Sequence, residues 1–269
     1  DTGELHSKVS PLSKMTDAAK RGLNECDQFL SSGGTGMVGV HAAFTCSDET
    51  LQAAAELAKK HKVGVHIHVG EALDDVQAGA RLEDLAEDNW LLVHTVHLDR
   101  NLKGRIVHNA RSNMNNAVGL PDYMRMKENG IKVIIGNDGI SQKMTSEYQN
   151  LYFAMHHKSE SPIAFTMDDL QAIINNTYTY ASDILGVKLG KIETGFASDF
   201  VLLPYNEPTP LNKDNIFGHL FFGLFNHFRP SDVYVGGNKI VDNYEVSKSL
   251  QSEFNKAKES AKLLWDKIE

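Results

Sequence analysis

Two histidines and a glutamate with spacing suited to metal-assisted chemistry lie in the segment 66–71, which reads HIHVGE. The β-branched run around them predicts a strand, and side chains at positions i and i+2 of a strand share one face. His66 and His68 would therefore point into one cavity. Glu71 comes just past the expected strand end, where its carboxylate can reach the same cavity. Imidazole and carboxylate are ligand types for zinc, iron and manganese, so the segment predicts a metal site.

Polar residues also end other apolar runs of the sequence. Polar side chains that could do chemistry lie at the carboxyl ends of at least four predicted strands, at His41, His68, His94 and Asp138. His94 is favoured over His97, because residues three apart in an extended segment do not share a face. Asp138 follows an apolar run and lies between Gly136 and Gly139, where an acid contributes little to packing but could serve in a functional site. The alternative is that Asp138 only stabilises a turn.

The elements that must position these residues alternate between strand and helix. Strands are expected at 37–41, 63–69, 90–94, 105–108 and 132–136, and helices at 47–60, 72–87, 117–129 and 166–185. Near-continuous apolar strands alternating with helices predict a parallel sheet covered on both faces. Polar residues at the ends of four strands favour a TIM-like (β/α)8 barrel, since an open doubly wound sheet concentrates its chemistry at one switch point.

After about residue 196 the alternation of predicted strands and helices gives way to short strands joined by turns. Residues 198–203 and 232–235 read as strands, and Gly236-Gly237-Asn238-Lys239 reads as a hairpin turn. The last part is an amphipathic, charged helix. We therefore predict a barrel over 1–196, a β-sandwich element over 197–244 and a C-terminal helix over 245–269.

The predicted barrel is short of strands. Eight are required, and the sequence offers five or six. The ten residues between the strands at 90–94 and 105–108 are also fewer than the dozen that a parallel crossover needs. Either residues are absent there, or the two strands are not neighbours. The opening 36 residues look helical and loop-like. We expect a barrel that is incomplete at its N-terminus.

Composition and charge narrow the class of protein. The 269 residues carry a formal net charge of −8, which argues against a nucleic-acid or anionic-membrane surface. No apolar run approaches the length of a membrane span, and no basic-then-apolar leader opens the sequence. The two cysteines, Cys26 and Cys46, are too few for a disulfide scaffold and are expected to be reduced. These features predict a cytoplasmic protein with neither a nucleic-acid nor a membrane partner.

An ordered set of motifs resembles the amidohydrolase superfamily. The branch it resembles contains S-adenosylhomocysteine and methylthioadenosine deaminases, triazine chlorohydrolases, and guanine and cytosine deaminases. The matching segments are 39–51, 66–71, 93–98, 107–114, 136–139 and 190–199. Within this branch, residues 112–119 are most similar to aminohydrolases associated with selenium-dependent purine or xanthine metabolism.

The resemblance implies a role for each candidate residue. His68 and Asp138 would be metal ligands, and Asp138 would also take a proton from the metal-bound water. Glu71 would be the proton shuttle to the leaving nitrogen, and His94 would stabilise the attacking hydroxide or the tetrahedral intermediate. The remaining implied roles are substrate contact for His41 and support of the ligand set for His66. The polar run 109–116 adds Asn109 and Asn113 as candidates for recognising a heterocycle edge. The cofactor would be one divalent metal ion, with zinc favoured and iron or manganese as alternatives.

The resemblance also implies hydrolysis of a C–N bond in a small nitrogen heterocycle such as a purine, pterin or pyrimidine, by a homo-oligomer. One departure is serious, because the family's first strand carries a His-x-His pair that supplies two more ligands. His66 and His68 form the one His-x-His of this sequence, and His6 is the one histidine before His41. Either an N-terminal part is missing, which we favour, or the protein is catalytically degenerate.

Two alternative functions follow. The first is a catalytically degenerate member of the same fold that acts as an assembly subunit. The second is a cyclic-amide or chloro-heterocycle hydrolase. The cyclic-amidase branch commonly bridges two metals with a carboxylated lysine at the end of its fourth strand, where this sequence has His41. That difference favours a mononuclear, deaminase-like site.

Overall fold

Five parallel strands, hydrogen-bonded in their order along the chain, form the sheet that carries the candidate residues. They are β1 (Val38–Ala42), β2 (Val65–Val69), β3 (Leu91–His94), β4 (Arg105–His108) and β5 (Val133–Ile135). The computed structural model describes residues 2–4 and 9–268, so His6 lies outside the described residues. A consecutive strand order is that of a barrel wall, whereas a doubly wound sheet reverses its order. The predicted α/β barrel architecture is confirmed, with five of eight strands in the described residues.

Seven helices of more than three residues precede or flank these strands in the described chain up to residue 185. They are α1 (Asp17–Ser31), α2 (Asp48–His61), α3 (Ala78–Leu82), α4 (Ala110–Asn115), α5 (Tyr123–Glu128), α6 (Met144–Ser159) and α7 (Met167–Leu185). The predicted start of α2 is confirmed, since the Ser47 side chain accepts a hydrogen bond from the Thr50 backbone N–H at 3.3 Å.

Two predicted helices are shorter than expected. The segment 72–87 forms a 3-10 turn at Leu73–Asp75 followed by α3, because the Asp75 carboxylate bonds the backbone of Gly70 and competes with helix formation. The segment 117–129 becomes helical at Tyr123, since Gly119 has φ +103 and a proline at position 121 precedes the cap.

The short connection between β3 and β4 does not separate the two strands. They pair in parallel, with Leu91 opposite Arg105 and Val93 opposite Val107. The interpretation that they are not neighbours is wrong. Residues 95–104 contain no helix. Ten residues of extended chain reach about 33 Å, more than the length of two four-residue strands, so a loop alone can return to the start of the next strand.

One face of the sheet packs on helices, and the other carries the polar residues. In β2 the side chains of Val65, Ile67 and Val69 are buried together with those of α1 and α2. His66 and His68 alternate with them and lie on the opposite face. Each fully buried aliphatic side chain stabilises the fold by about 1.5–3 kcal/mol, so this alternation fixes which residues face the site.

Gly64, just before β2, gives a stability prediction. A Cβ atom there would lie 2.0 Å from the backbone oxygen of Asn89, so Gly64→Ala must displace backbone. We expect the free energy of unfolding to fall by about 1–3 kcal/mol or more, measured by urea denaturation. Gly218→Ala is the control, because nothing lies within 4 Å of the position that its methyl group would occupy. Equal stability of the two variants would contradict the prediction.

Residues 178–269 form a second compact unit, and residues 1–177 form the first. The second unit contains a four-stranded antiparallel sheet with the order β6 to β9. Its strands are β6 (Phe200–Leu202), β7 (Asp232–Val235), β8 (Asn238–Asp242) and β9 (Glu245–Val246), and its helices are α8 (Ile216–Gly218) and α9 (Lys248–Trp265). The predicted hairpin turn is found, with φ +55 at Gly236 and +78 at Gly237.

The domain boundaries predicted at residues 196 and 244 lie within this second unit, and they stay a prediction. The sequence does not predict the helical turns at 219–227, which follow α8. In the part of the chain that the structure describes, every helix is too short or too polar to cross a membrane.

Candidate active site

Side chains from three neighbouring strands meet at the carboxyl ends of β1, β2 and β3. The ring of His68 lies edge-on to that of His41, with 5.6 Å between centroids. On its other side the His68 ring stacks on that of His94 at 5.4 Å. Parallel strands end at the same edge of a sheet, which is why residues far apart in sequence come together here.

His94 is the most enclosed of these histidines, with 1% of its surface exposed. Its Nδ1 lies 2.7 Å from Oδ1 of Asn113, while its Nε2 lies 3.7 Å from Oε2 of Glu71 and 4.0 Å from Oδ2 of Asp138. Burial lowers the pKa of His94 despite the opposing charge of Glu71, so the ring is neutral near pH 7. In that form Nδ1–H donates to Asn113 and Nε2 carries a lone pair.

The distances from His94 to the two carboxylates are longer than hydrogen bonds. Nε2 of His94 therefore lies close to both carboxylates without bonding either, and the space between these three groups is called the gap below. The backbone makes this arrangement possible, because His94 and Thr95 have φ +70 and +52 where β3 ends. Such left-handed backbone is uncommon for residues other than glycine and turns the His94 side chain out of the strand's alternation.

His68 has one ring nitrogen fixed by the backbone. Its Nδ1–H donates to the carbonyl oxygen of His41. This bond leaves the lone pair on Nε2, which is the arrangement found in metal-ligating histidines, whose second nitrogen commonly bonds a carbonyl or carboxylate. His41 itself is tied down through Nδ1, which lies 2.9 Å from Oγ1 of Thr45.

Asp138 is held as an ionised carboxylate. Partial burial acts to raise its pKa, but hydrogen bonds from the Ser112 hydroxyl and the Gly139 backbone, helped by His94 and His68, lower it overall. The Ser112 Oγ donates to Oδ2, and the Gly139 N–H donates to Oδ1 at 2.7 Å. Asp138 therefore enters the site as a hydrogen-bond acceptor.

Glu71 reaches the gap from the turn after β2. Its Oε1 lies 3.4 Å from Nδ2 of Asn116. The turn is fixed at Gly70, which has φ +56 and donates its N–H to Oδ2 of the buried Asp75 at 2.7 Å. Burial raises the pKa of Asp75 to about 6. Because 29% of the Glu71 side chain is exposed, a substrate entering from solvent can reach it.

The other predicted residues lie around this group. His66 is exposed on the sheet face two residues before His68. Asn113 is fully buried against His94, and Asn109 is buried beside Gly136, where a Cβ would lie 2.4 Å from its Oδ1. His97 points elsewhere, with Nε2 2.9 Å from the Val118 carbonyl oxygen. The roles given to all these residues stay predictions.

Sequence reasoning missed two supporting side chains. Ser112 lies within one of the matching motifs, but nothing in that motif shows that its hydroxyl bonds Asp138. Asp75 lies in a segment predicted to be helical, where an acidic residue is expected to face solvent, but only 3% of its surface is exposed. An acid a few residues after a glycine-containing strand end is the one signal that suggests a turn-fixing role for Asp75.

Comparison with known proteins places the chain in a family. A sequence profile described as the amidohydrolase family matches residues 8–240. A 5′-deoxyadenosine deaminase from Methanocaldococcus jannaschii is 28% identical over 249 residues, which is 84% of this chain and 59% of that protein. A 5-methylthioadenosine/S-adenosylhomocysteine deaminase from Caldanaerobacter subterraneus is 28% identical over 78% of this chain and 53% of that protein. The chain thus spans a little more than half the length of these relatives.

A solved structure shows the same fold. An adenosine deaminase from Xanthomonas campestris with bound zinc superposes with a TM-score of 0.72 at 20% identity, over 92% of this chain and 62% of that one. The predicted deaminase and chlorohydrolase branch is confirmed by these relatives. Since the family profile covers most of the sequence, the chain belongs to the amidohydrolase family.

Proposed function

We propose that the protein is a metal-dependent, deaminase-like hydrolase that releases ammonia from a nitrogen heterocycle. The observation that supports this best is the gap formed by Nε2 of His94 with the carboxylates of Glu71 and Asp138, beside the ring of His68. One neutral imidazole and two carboxylates around a small space can orient water, take its proton and deliver a proton to a leaving group.

The donor set is compatible with part of a divalent metal site. His68 presents Nε2, because Nδ1 donates to the His41 carbonyl, and Asp138 presents an ionised carboxylate. In residues 2–4 and 9–268, however, no three His, Cys, Asp or Glu side chains are grouped closely enough to hold a metal ion. His68 and Asp138 would be two ligands of the three or four that a catalytic zinc site uses. That the remaining ligands come from a first-strand His-x-His pair, as the family resemblance implies, stays a prediction.

Each residue of the gap has a task in this proposal. His68 and Asp138 would hold the divalent ion, whose chemistry there would be to lower the pKa of water so that hydroxide is available near neutral pH. His94 orients the attacking water by accepting a hydrogen bond at Nε2. Asp138 takes the water proton, and the new C–O bond forms at the ring carbon. Glu71 takes the proton of the hydroxyl now on the ring carbon and passes it to the departing nitrogen, so the C–N bond breaks, ammonia leaves and the ring carbon becomes a carbonyl. The proton held by Asp138 returns to a ring nitrogen.

The substrate class rests on the relatives and the site together. Two of the relatives are named as deaminases of adenosine derivatives. We propose a purine as the first candidate, with pterins and pyrimidines next, and we propose zinc as the metal because a structural relative binds it. His41, Asn109 and Asn113 would contact the ring. The proposal extends to a homo-oligomer, as the family resemblance implies, and to a cytoplasmic location, as the cysteine content of the sequence suggests.

The test combines metal analysis with ammonia release. With the predicted first-strand His-x-His pair present, the purified protein is expected to contain about one zinc, iron or manganese ion per chain by inductively coupled plasma mass spectrometry. It is then incubated with 5′-deoxyadenosine, 5′-methylthioadenosine, guanine and cytosine, and ammonia is followed by a coupled assay. Atrazine and dihydrouracil are included, so that chloride release or ring opening would reveal the alternative hydrolases.

The results separate the proposal from its main rival. Metal in stoichiometric amount with ammonia release from a heterocycle supports the deaminase. Absence of both metal and turnover contradicts it and supports a catalytically degenerate assembly subunit. Chloride release or cyclic-amide opening without ammonia release would show that the protein is a hydrolase but that the proposed deamination is wrong.

A further inference from the structure

An ion pair between Arg111 and Glu147 joins helix α4, which follows β4, to helix α6. The Glu147 side chain is 0% exposed and that of Arg111 is 14% exposed. One carboxylate oxygen of Glu147 accepts the Arg111 Nε at 2.5 Å, and the other accepts the Arg111 backbone N–H at 3.0 Å. Both oxygens are thus used by a single residue, which fixes the position of its backbone as well as its side chain.

Glu147 also supplies the cap that α4 lacks. Asn109, at the N-cap position, makes no side-chain hydrogen bond to the helix. The first backbone N–H groups of a helix have no partner within it, and a negative charge near them is favourable. Because Glu147 accepts the N–H of Arg111, a residue from a different helix determines where α4 begins.

The first turn of α4 carries two residues that contact the candidate active site. Ser112 donates its hydroxyl to Asp138, and the Asn113 side chain accepts from His94. A displacement of α4 therefore moves the hydrogen-bond partners of both groups together.

Arg111 holds the loop after Asp138 as well. Its guanidinium donates to the carbonyl oxygen of Ser141 at 3.1 Å, and the Asn137 amide donates to the same oxygen at 2.6 Å. One arginine thus connects α4, α6 and the loop 137–141. Replacing a buried ion pair by apolar residues is often neutral or stabilising, so stability alone does not account for this pair.

We propose that Arg111 and Glu147 are positioning residues that set the separation of His94 from Asp138, which is 4.0 Å between Nε2 and Oδ2. Neither residue touches the reacting atoms; each acts through Ser112, Asn113 and the loop after Asp138. The inference rests on the proposed function for its catalytic consequence. Its structural part, that this pair orders α4 and the Asp138 loop, is independent of the reaction.

Glu147→Gln is the test, since it keeps the shape and removes the charge. With 5′-deoxyadenosine as the probe, kcat is expected to fall by about 10-fold or more with KM nearly unchanged, because misplacement by ~1 Å costs up to ~10²-fold. Hydrogen–deuterium exchange of the metal-free protein is expected to quicken in residues 109–116 and 137–143. Arg111→Lys, which keeps the charge but loses the fork geometry, should give an intermediate kcat.

Asp169→Asn is the matched control. The Asp169 carboxylate on α7 is 8% exposed and pairs with Lys127 at 2.6 Å, so it is also a nearly buried partner of a cation. It is bonded to Tyr123 and Thr166 and to none of the candidate active-site residues. We expect this variant to keep the wild-type kcat and to leave exchange in 109–116 unchanged.

Three results would overturn the inference. They are a Glu147→Gln variant with kcat within about two-fold of wild type, an equal loss in Asp169→Asn, and unchanged exchange in both segments. If Glu147→Gln does not fold, Arg111→Lys decides by the same measurements. If the wild-type protein releases no ammonia, the proposed function fails, while the exchange experiment still decides whether the pair orders the site.

Discussion

Replacing Asp138 with alanine or Glu71 with glutamine is expected to abolish the proposed hydrolysis of a nitrogen heterocycle without unfolding the protein. Asp138→Ala removes an ionised carboxylate that lies 4.0 Å from Nε2 of His94 and accepts from Ser112. Glu71→Gln keeps the side-chain shape but removes the carboxyl group that we propose protonates the leaving nitrogen. General acid–base catalysis typically contributes about 10²–10⁴-fold, so kcat should fall by at least that factor. Steady-state ammonia release measures it.

Folding of the two variants is checked by circular dichroism and thermal denaturation. Both positions are partly exposed, with 29% of the Glu71 side chain and 37% of the Asp138 side chain accessible, so the fold should tolerate either change. Full activity in either variant would remove that residue from the mechanism. Loss of activity together with loss of structure would call for the milder Asp138→Asn variant before any assignment is made.

The second large effect concerns pH and His108. This side chain is fully buried, and in the described part of the chain neither of its ring nitrogens has a hydrogen-bond partner. Burial, with smaller contributions from His94 and Lys158, lowers the pKa of His108 from 6.5 to about 3. The unfolded chain therefore binds this proton more readily than the folded chain between those two pH values.

Stability should consequently decrease as the pH falls below the unfolded value. The slope for one proton is about 1.4 kcal/mol per pH unit, so the loss from this group reaches ~3 kcal/mol near pH 4.5. Asp75 acts in the opposite direction, because its pKa is raised to about 6 and its protonation stabilises the folded state as the pH falls below that value. The contribution of His108 therefore has to be isolated by comparison of variants.

His108→Leu provides that comparison. The free energy of unfolding of both proteins is measured by urea denaturation at pH 7.5, 6, 5 and 4.5. Below pH 6.5, the wild type should lose about 1.4 kcal/mol per pH unit relative to His108→Leu. His157→Gln is the control, because this histidine on α6 is exposed. A pH-independent difference between wild type and His108→Leu would show that the buried imidazole is not kept neutral.

Much of the sheet could be predicted from local patterns. Strands β1 to β5 lie within two residues of the expected ranges, because buried parallel strands read as short apolar runs with few alternatives. The meeting of His41, His68 and His94 follows from the same reasoning, since the ends of adjacent parallel strands share an edge. The motif order then gives the family, which no single residue would establish.

The rest depends on contacts between distant residues. Nothing local to Glu147 predicts that its carboxylate caps a helix that begins 37 positions earlier, at Ala110. Nor does the sequence show that the loop 95–104 can join two parallel strands without a helix. His108 ends a strand as His41 and His94 do, yet its ring is buried and neither ring nitrogen has a hydrogen-bond partner in the described residues. The type of residue at a strand end therefore does not by itself distinguish a functional site from a packed core.

The left-handed backbone at His94 and Thr95 has a consequence for how this protein can change over evolutionary time. A β-branched residue at φ +52 is a strained choice that costs on the order of 1–3 kcal/mol, and glycine would relieve it. The strain is held by a hydrogen bond from the Thr95 N–H to the Val69 carbonyl oxygen at 2.9 Å. Selection for thermal stability alone would favour glycine at this position, with a looser His94. We therefore expect Thr95→Gly to raise the free energy of unfolding and to loosen His94, and persistence of threonine at position 95 would record selection for the position of His94.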